Sequence, residues 1–262
     1  MLYYDHFYTI GKTHAVCEDY AMQGEKPVPF MVVCDGCSSS RHTDIGARIL
    51  ALTTRYILEN TNNWPLDYTH FGQMLINKAW DVTRKMHLDS SSVLDATVML
   101  AFLDQQQIQV YVYGDGCLLF KDHHGQLGYI DINFTHNAPY YLTYWYDEQR
   151  GQEYAQYDEK PLFLIDSVNG RCEPISFRTP LCFQFPLAQY QQIAIASDGA
   201  SQCIDTLNNI KLPLAEVAKQ LLAFEHLEGE FVKAHLQKTL DHYAQHGIYP
   251  ADDLSIGVFV QR

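Results

Sequence analysis

The residues in this sequence that could do chemistry are aspartates that stand next to short apolar runs. Asp35 and Asp198 each follow such a run closely and precede a glycine, and the pair Asp252 and Asp253 leads directly into a third run. A short apolar run bounded by a turn signal is typical of a buried strand. Each aspartate is therefore expected at the end of a strand, beside a backbone that can turn tightly.

Several carboxylates that meet at strand ends would repel one another, and each would cost free energy to remove from water. A divalent cation removes that conflict, and oxygen ligands suit Mg²⁺, Mn²⁺ or Ca²⁺. An Asp-Gly pair is also a common turn signal, with or without a chemical role. The spacing leaves both interpretations open, because it does not show that the three positions lie together.

The elements that would position these aspartates are strands and two pairs of helices. Apolar residues at helical spacing predict helices over 43–60, 68–87, 214–224 and 230–246. The predicted strands cover 30–34, 95–103, 108–113, 117–121, 126–132, 162–165, 193–196 and 254–260. This order favours an α+β fold in which sheets pack face to face with the helices outside.

The composition narrows the classes of partner. The chain has 262 residues and a formal net charge of −13 at pH 7. The length, with no internal repeat, predicts a single domain over 1–262. Nucleic-acid backbones and anionic membranes attract basic surfaces, so neither is expected as a partner. Seven scattered cysteines, no signal-peptide pattern and no long apolar stretch favour the cytoplasm.

Motifs for other chemistries are missing from the sequence. It contains no Gly-x-Ser-x-Gly elbow, no Walker-type phosphate loop and no His-Glu-x-x-His pattern. Cys34 and Cys37 form one Cys-x-x-Cys pair, which could serve redox chemistry or half a zinc site. Without a second pair, ordinary packing of Cys34 inside its strand is favoured.

Motifs along nearly the whole chain resemble those of the metal-dependent type 2C protein phosphatases, the PPM family, and occur in the family's order. The matching segments are GKTHAVCED at 11–19, VVCDG at 32–36, DAT at 95–97, VYGDG at 112–116, IASDG at 195–199 and DDLSI at 252–256. The resemblance implies a four-layer αββα sandwich of two antiparallel sheets flanked by helix pairs. It also places the family's variable flap at about 134–180, where this chain is rich in tyrosine from Phe134 to Tyr157.

The resemblance implies a role for each matching residue. Asp35, Asp198 and Asp252 would be the catalytic metal ligands, together with the carbonyl of Gly36. Glu18 and Asp19 would act mainly through water. Asp115 would hold a third, weaker ion beside the two Mn²⁺ or Mg²⁺ ions. A metal-activated water would then attack phosphorus directly, without a phospho-enzyme intermediate.

Three positions depart from the family pattern. His14 stands where the family has the arginine that grips the substrate phosphate, and a neutral imidazole cannot make that two-point contact. Lys12 and Arg41 are candidates to replace it. Cys37 stands where many members have a histidine or methionine, and Gln202 stands where a second aspartate often helps to hold the third metal.

The resemblance implies a bacterial-like metal-dependent phosphatase that hydrolyses phosphoserine and phosphothreonine on proteins. Its substrate would be a phosphorylated protein, with a cognate Ser/Thr kinase as possible counterpart. Two alternatives stay open. One is a regulatory or phosphoprotein-binding module with weak or no catalysis, and the other is a phosphatase of a small phosphorylated metabolite. The sequence does not identify the substrate, the kinase, the preferred metal or the oligomeric state.

Overall fold

Two antiparallel sheets face each other in the computed structural model, which describes residues 1–61, 64–88, 91–156, 162–171 and 174–262. The strands are β1 Leu2–Thr9, β2 Tyr20–Gly24, β3 Phe30–Gly36, β4 Ala96–Asp104, β5 Gln107–Tyr113, β6 Gly116–Asp122, β7 Leu127–Phe134, β8 Leu162–Asp166, β9 Gly170–Arg171, β10 Leu181–Pro186, β11 Tyr190–Ala196, β12 Cys203–Asp205, β13 Ile210–Lys211, β14 Ile248–Pro250 and β15 Leu254–Gln261. One sheet has the order β1-β15-β11-β6-β7-β8-β9 and the other β10-β5-β4-β3-β2, while β13-β12-β14 form a small third sheet.

Two pairs of helices cover the outer faces of the sandwich. The helices are α1 Thr43–Asn60, α2 Tyr68–Lys85, α3 Thr143–Tyr146, α4 Glu148–Ala155, α5 Leu214–Leu221 and α6 Phe231–Gln245. None of the described helices has the length and apolar character that a membrane crossing requires. The α1–α2 pair lies on the five-stranded sheet and the α5–α6 pair on the seven-stranded sheet.

The core is divided into three apolar clusters that separate these four layers. The middle cluster lies between the two sheets and includes Met31, Val110, Leu118, Ile195 and Phe259. One outer cluster joins α1 and α2 to the five-stranded sheet, and the other joins α5 and α6 to the seven-stranded sheet. Burial of apolar area on both faces of each sheet stabilises the stack. The α+β, four-layer architecture predicted from the sequence is confirmed.

The predicted helices agree closely with the structure where the apolar period is clear. The first occupies Thr43–Asn60, as predicted. The second ends at Lys85 rather than at residue 87, because His87 adopts a left-handed conformation with φ of 56°. Within the predicted flap over 134–180, the described residues contain α3, α4, β8 and β9, and Tyr157 and Cys172 lie outside the described residues. The single-domain boundary stays a prediction.

Gly46 lets α1 pack directly against the backbone that precedes β4. A Cβ atom built at this position would lie 1.6 Å from the carbonyl oxygen of Val93. Alanine is favoured over glycine in an exposed helix by about 1 kcal/mol. Here the clash with backbone reverses that preference.

Gly46→Ala should lower the free energy of unfolding by about 1–3 kcal/mol, as overpacking of a tight contact does. Urea unfolding followed by circular dichroism measures the change. Arg55→Ala on the exposed side of α1 is the control and should change stability by about 0.5 kcal/mol or less. A Gly46→Ala protein as stable as the wild type would contradict the close packing.

Candidate active site

Four aspartates from four separate strand ends line one polar cavity of about 290 Å³. Asp35 lies near the end of β3, and Asp115 lies in the turn from β5 to β6. Asp198 lies two residues after β11, and Asp252 two residues before β15. The other lining residues are Gly36, Cys37, Ser38, Ser39, Thr97, His136, Asn137, Pro139 and Tyr141. No lysine or arginine is among these described lining residues, so the cavity gathers negative charge without a fixed cation to balance it.

Asp19 lies behind the cavity and is completely buried. Its Oδ2 accepts a hydrogen bond from Ser197 Oγ at 2.8 Å. Its Oδ1 has no hydrogen-bond partner among the described residues. A buried carboxylate oxygen left in this state is costly unless a proton or a cation reaches it.

Burial and mutual repulsion raise the pKa of the carboxyl groups around the cavity. Desolvation raises the pKa of Asp35 well above its usual value, and the neighbouring carboxylates raise it further. The same two causes act on Asp198, whose pKa is also well raised. Burial raises the pKa of Asp19 to about 7 and that of Asp115 to about 6. The fold therefore holds these groups where their charged forms are disfavoured.

Asp253 shows how the same fold stabilises a buried carboxylate by hydrogen bonds. It is 2% exposed, and its two oxygens accept the backbone N–H groups of Gly11 and Glu18, each at 2.6 Å. These bonds fasten the N-terminal motif to the start of β15. The sequence contained the Asp-Asp pair but gave no role to its second member, whose function here is to position that motif.

His14 lies between the two adjacent aspartates. Its Nε2 is 3.2 Å from Asp252 Oδ1, and its Nδ1 is 3.2 Å from Asp253 Oδ1. Burial opposes the charged imidazolium, but Asp253, Asp252 and Glu18 together outweigh it, so the pKa of His14 lies above its usual value. His14 is not one of the cavity-lining residues. The ring is placed to hold Asp252 in position.

The other two predicted phosphate-binding residues also lie away from the cavity wall. The Lys12 ammonium is 4.6 Å from the centre of the Tyr249 ring, in a separate groove. Arg41 is exposed on the loop before α1 and is not among the described lining residues. A role of His14, Lys12 or Arg41 in binding phosphate stays a prediction.

Gln202 joins two of the cavity aspartates. Its Nε2 donates to Asp198 Oδ2 at 2.5 Å and lies 3.4 Å from Asp252 Oδ2. The sequence marked this position only as a departure from the family. In the structure the amide holds the two carboxylates together, as supporting groups around metal ligands commonly do.

Hydrogen bonds also fix Glu18 and Asp115. Thr43 Oγ1, at the start of α1, donates to Glu18 Oε1 at 2.9 Å. Thr97 Oγ1 donates to Asp115 Oδ1 at 2.6 Å, which connects the start of β4 to the turn between the two sheets. Glu18 does not line the cavity. In both cases a threonine hydroxyl fixes the orientation of one carboxylate.

Gly199 allows the segment after β11 to approach the start of β15. A Cβ atom at this position would lie 1.9 Å from the carbonyl oxygen of Asp253. Only glycine permits this approach, which brings Asp198 beside Asp252. The Asp-Gly pair is therefore a packing requirement of the site as well as a turn signal.

The chemistry of this donor set fits hard divalent cations. Carboxylate oxygens from Asp35, Asp115, Asp198 and Asp252 share one cavity, and the orphaned oxygen of Asp19 lies behind it. Within the described ranges, no three His, Cys, Asp or Glu side chains form a ready-made ligand group. The residues thus match the ligand type that Mg²⁺ or Mn²⁺ prefers, and binding would require the carboxylates to draw together.

The Cys34 and Cys37 pair forms no disulfide. Cys34 is completely buried in β3, in agreement with the packing role favoured by the sequence. Cys37 Sγ lies 3.1 Å from Ser39 Oγ on the cavity wall.

The crowded carboxylates should make the metal-free protein less stable as pH rises from about 4 to about 7. Unfolded aspartates lose their protons near pH 4. The folded protein keeps that of Asp115 up to about pH 6 and that of Asp19 up to about pH 7, so over this window it binds more protons than the unfolded chain. Thermal unfolding in excess chelator measures the effect.

Asp35→Asn should flatten this profile and raise Tm at pH 7.5 by about 2–4 °C, the shift expected from roughly 1 kcal/mol. Asp81→Asn, an exposed change on α2, is the control and should leave the profile unaltered. A steep profile in Asp35→Asn identical to that of the wild type would show that charge crowding at this cavity is not its cause.

Comparison with known proteins agrees with this geometry. A family model for protein phosphatase 2C matches residues 11–241. No curated protein sequence matches the chain at a significant level. Among solved structures, the serine/threonine phosphatase Stp1 from Staphylococcus aureus superposes with a TM-score of 0.57 at 15% identity, covering 100% of this chain and 96% of that one.

Two further structures show the same fold. A bacterial serine phosphatase has a TM-score of 0.60 at 13% identity, with 99% of this chain and 97% of that chain covered. The catalytic domain of the serine/threonine protein phosphatase PstP, in complex with two manganese ions, has a TM-score of 0.53 at 12% identity, with 99% and 97% covered. At such low identities these structures support the fold alone. The match of the family model over residues 11–241 shows that the chain belongs to the protein phosphatase 2C family.

Proposed function

We propose that this protein is a metal-dependent phosphatase that hydrolyses phosphoserine and phosphothreonine on proteins. The observation that carries the proposal is the cavity in which Asp35, Asp115, Asp198 and Asp252 meet without a neighbouring lysine or arginine among its described lining. Such a charge arrangement is stabilised by cations. The PstP catalytic domain, which shares the fold, was crystallised with two manganese ions.

Asp35, Asp198 and Asp252 would hold two Mn²⁺ or Mg²⁺ ions with the carbonyl of Gly36, and Asp115 with its Thr97 partner is the candidate for a third. When bound, these ions would supply a water nucleophile near neutral pH and positive charge for the phosphoryl oxygens. His14 and Gln202 orient the Asp252 and Asp198 carboxylates. Asp253 keeps Glu18 and the N-terminal motif in place.

The residues at the cavity wall suit a phosphorylated side chain. Ser38, Ser39 and Asn137 offer neutral polar groups on the two sides of the cavity. A volume of about 290 Å³ accommodates a phosphoryl group and the end of its side chain, while the rest of a protein substrate would lie outside. A phosphorylated protein, made by a Ser/Thr kinase, is therefore the substrate class we propose over a whole metabolite.

Asp198→Asn should abolish metal-dependent turnover. We expect the wild type to hydrolyse p-nitrophenyl phosphate and a phosphothreonine peptide with Mn²⁺ or Mg²⁺, and this hydrolysis should stop in excess chelator. The Asp198→Asn protein should be less active by about 100-fold or more, because loss of a residue that only supports a metal ligand already costs about 10–100-fold. Asp81→Asn should stay fully active. A folded wild type that binds the phosphopeptide without hydrolysis under any metal would favour the regulatory-module alternative.

His14 has two candidate roles, to position Asp252 or to bind the substrate phosphate, and these roles predict different kinetics. If the ring positions Asp252, His14→Gln should raise the dissociation constant for Mn²⁺ by about tenfold and leave the KM for ester at saturating metal nearly unchanged. Isothermal titration gives the first quantity and steady-state kinetics the second. His70→Gln, an exposed change near the start of α2, is the matched control. A raised KM with unchanged Mn²⁺ affinity would instead support phosphate binding by His14.

A further inference from the structure

Asp95 and Arg150 form an ion pair beside the active-site cavity, in which the carboxylate is buried and the guanidinium is partly exposed. Arg150 Nη1 donates to Asp95 Oδ1 at 3.0 Å, and Nη2 donates to Oδ2 at 2.9 Å. Two parallel N–H to oxygen bonds give a guanidinium–carboxylate pair both strength and a fixed geometry. Asp95 is 2% exposed, and within the described ranges no other buried carboxylate pairs with a lysine or arginine.

Asp95 also contacts the loop that follows Asp35. Ser40 Oγ donates to Asp95 Oδ2 at 2.8 Å, and the backbone N–H of Cys37 donates to the Asp95 carbonyl oxygen at 2.9 Å. Cys37 and the two residues after it form one wall of the cavity. Asp95 thereby fixes this wall at both of its ends.

Arg150 belongs to the flap, which forms another part of the cavity wall. It lies on α4 in the flap, its guanidinium is 5.0 Å from the centre of the Tyr144 ring, and its Nη1 donates to Ser91 Oγ at 3.3 Å. The flap supplies four residues to the cavity wall: His136, Asn137, Pro139 and Tyr141. The ring of Tyr144 also packs against Tyr140 and Tyr154, with ring centres 5.3 and 5.1 Å away, so α4 and the cavity-lining segment are joined by aromatic contacts.

We propose that Asp95 and Arg150 are positioning residues that hold the flap at a fixed distance from the loop 37–40 and so set the width of the cavity. The inference rests on the function proposed above and identifies what determines how well the phosphorylated side chain fits. Neither residue lines the cavity, so the pair acts through the two walls that it connects.

Arg150→Met keeps much of the side-chain length and removes the ion pair. With saturating Mn²⁺, the KM for a phosphothreonine peptide should rise by about tenfold while kcat changes less than about twofold. A tenfold effect is typical when a residue that supports site residues from outside the site is removed. The dissociation constant for Mn²⁺ measured by isothermal titration should stay the same, because the metal-binding aspartates lie on other elements. Arg55→Met is the matched control, since that exposed arginine lies on α1 and does not line the cavity.

Two further variants separate positioning from folding. Arg150→Met leaves the Asp95 carboxylate buried without its partner, which destabilises proteins strongly. The double change Asp95→Asn with Arg150→Met removes that charge, so Tm should recover while KM stays raised. Arg150→Lys keeps the charge without the two-point geometry and should give an intermediate KM.

Hydrogen exchange measures how well the flap is held in place and does not depend on catalytic activity. Amides of 136–156 should exchange faster in Arg150→Met than in the wild type, and those of β4 and β5 should not change. A wild type without metal-dependent turnover would contradict the proposed function. The exchange experiment would still test whether Asp95 and Arg150 hold the flap. An active wild type whose peptide KM and flap exchange are unaltered by Arg150→Met would overturn the positioning role.

Discussion

The crowding of carboxylates at the strand ends is the constraint on which the rest of the site depends. Sheet-on-sheet packing brings the ends of β3, β5, β11 and the start of β15 together, and burial there raises the pKa of Asp35 and Asp198. Asp252 reaches the cavity while the neighbouring Asp253 reaches two backbone N–H groups. The first adds to the negative charge of the cavity, and the second is stabilised by hydrogen bonds from the protein itself.

The sequence predicted most of the fold because its helices and central strands carry strong periodic patterns. The apolar stripe of α1 gave its bounds Thr43–Asn60. β1, β2 and β10 were not predicted, since all three are edge strands whose residues are partly exposed and do not alternate cleanly between apolar and polar. The short β12, β13 and β14 have too few residues to show a period. Their pairing depends on contacts between distant parts of the chain, which a local pattern does not contain.

Which residues gather at the site was partly predictable, and how they are held was not. The Asp-Gly motifs pointed to Asp35 and Asp198, and family resemblance added Asp115. The contact of His14 with Asp252, and that of Gln202 with Asp198, depend on the close approach of the N-terminal motif, β11 and β15. Both departures from the family pattern therefore meet at Asp252, which lies 3.2 Å from His14 Nε2 and 3.4 Å from Gln202 Nε2. A change at one of these positions alters the environment in which the other works.

Asp95, which binds the flap, is also a buried carboxylate, but its charge is balanced by another side chain of the protein. Asp95 is as deeply buried as Asp253, yet a guanidinium from α4 balances its charge and a serine hydroxyl donates a hydrogen bond to it. A buried charge pair gains little stability over an apolar contact but loses much when one partner is removed, so it fixes one arrangement. The carboxylates in the cavity have neutral donors and His14 as neighbours, but no lysine or arginine among the described lining residues. The same fold thus balances the charge of Asp95 with an arginine and leaves the charges of the cavity aspartates without one.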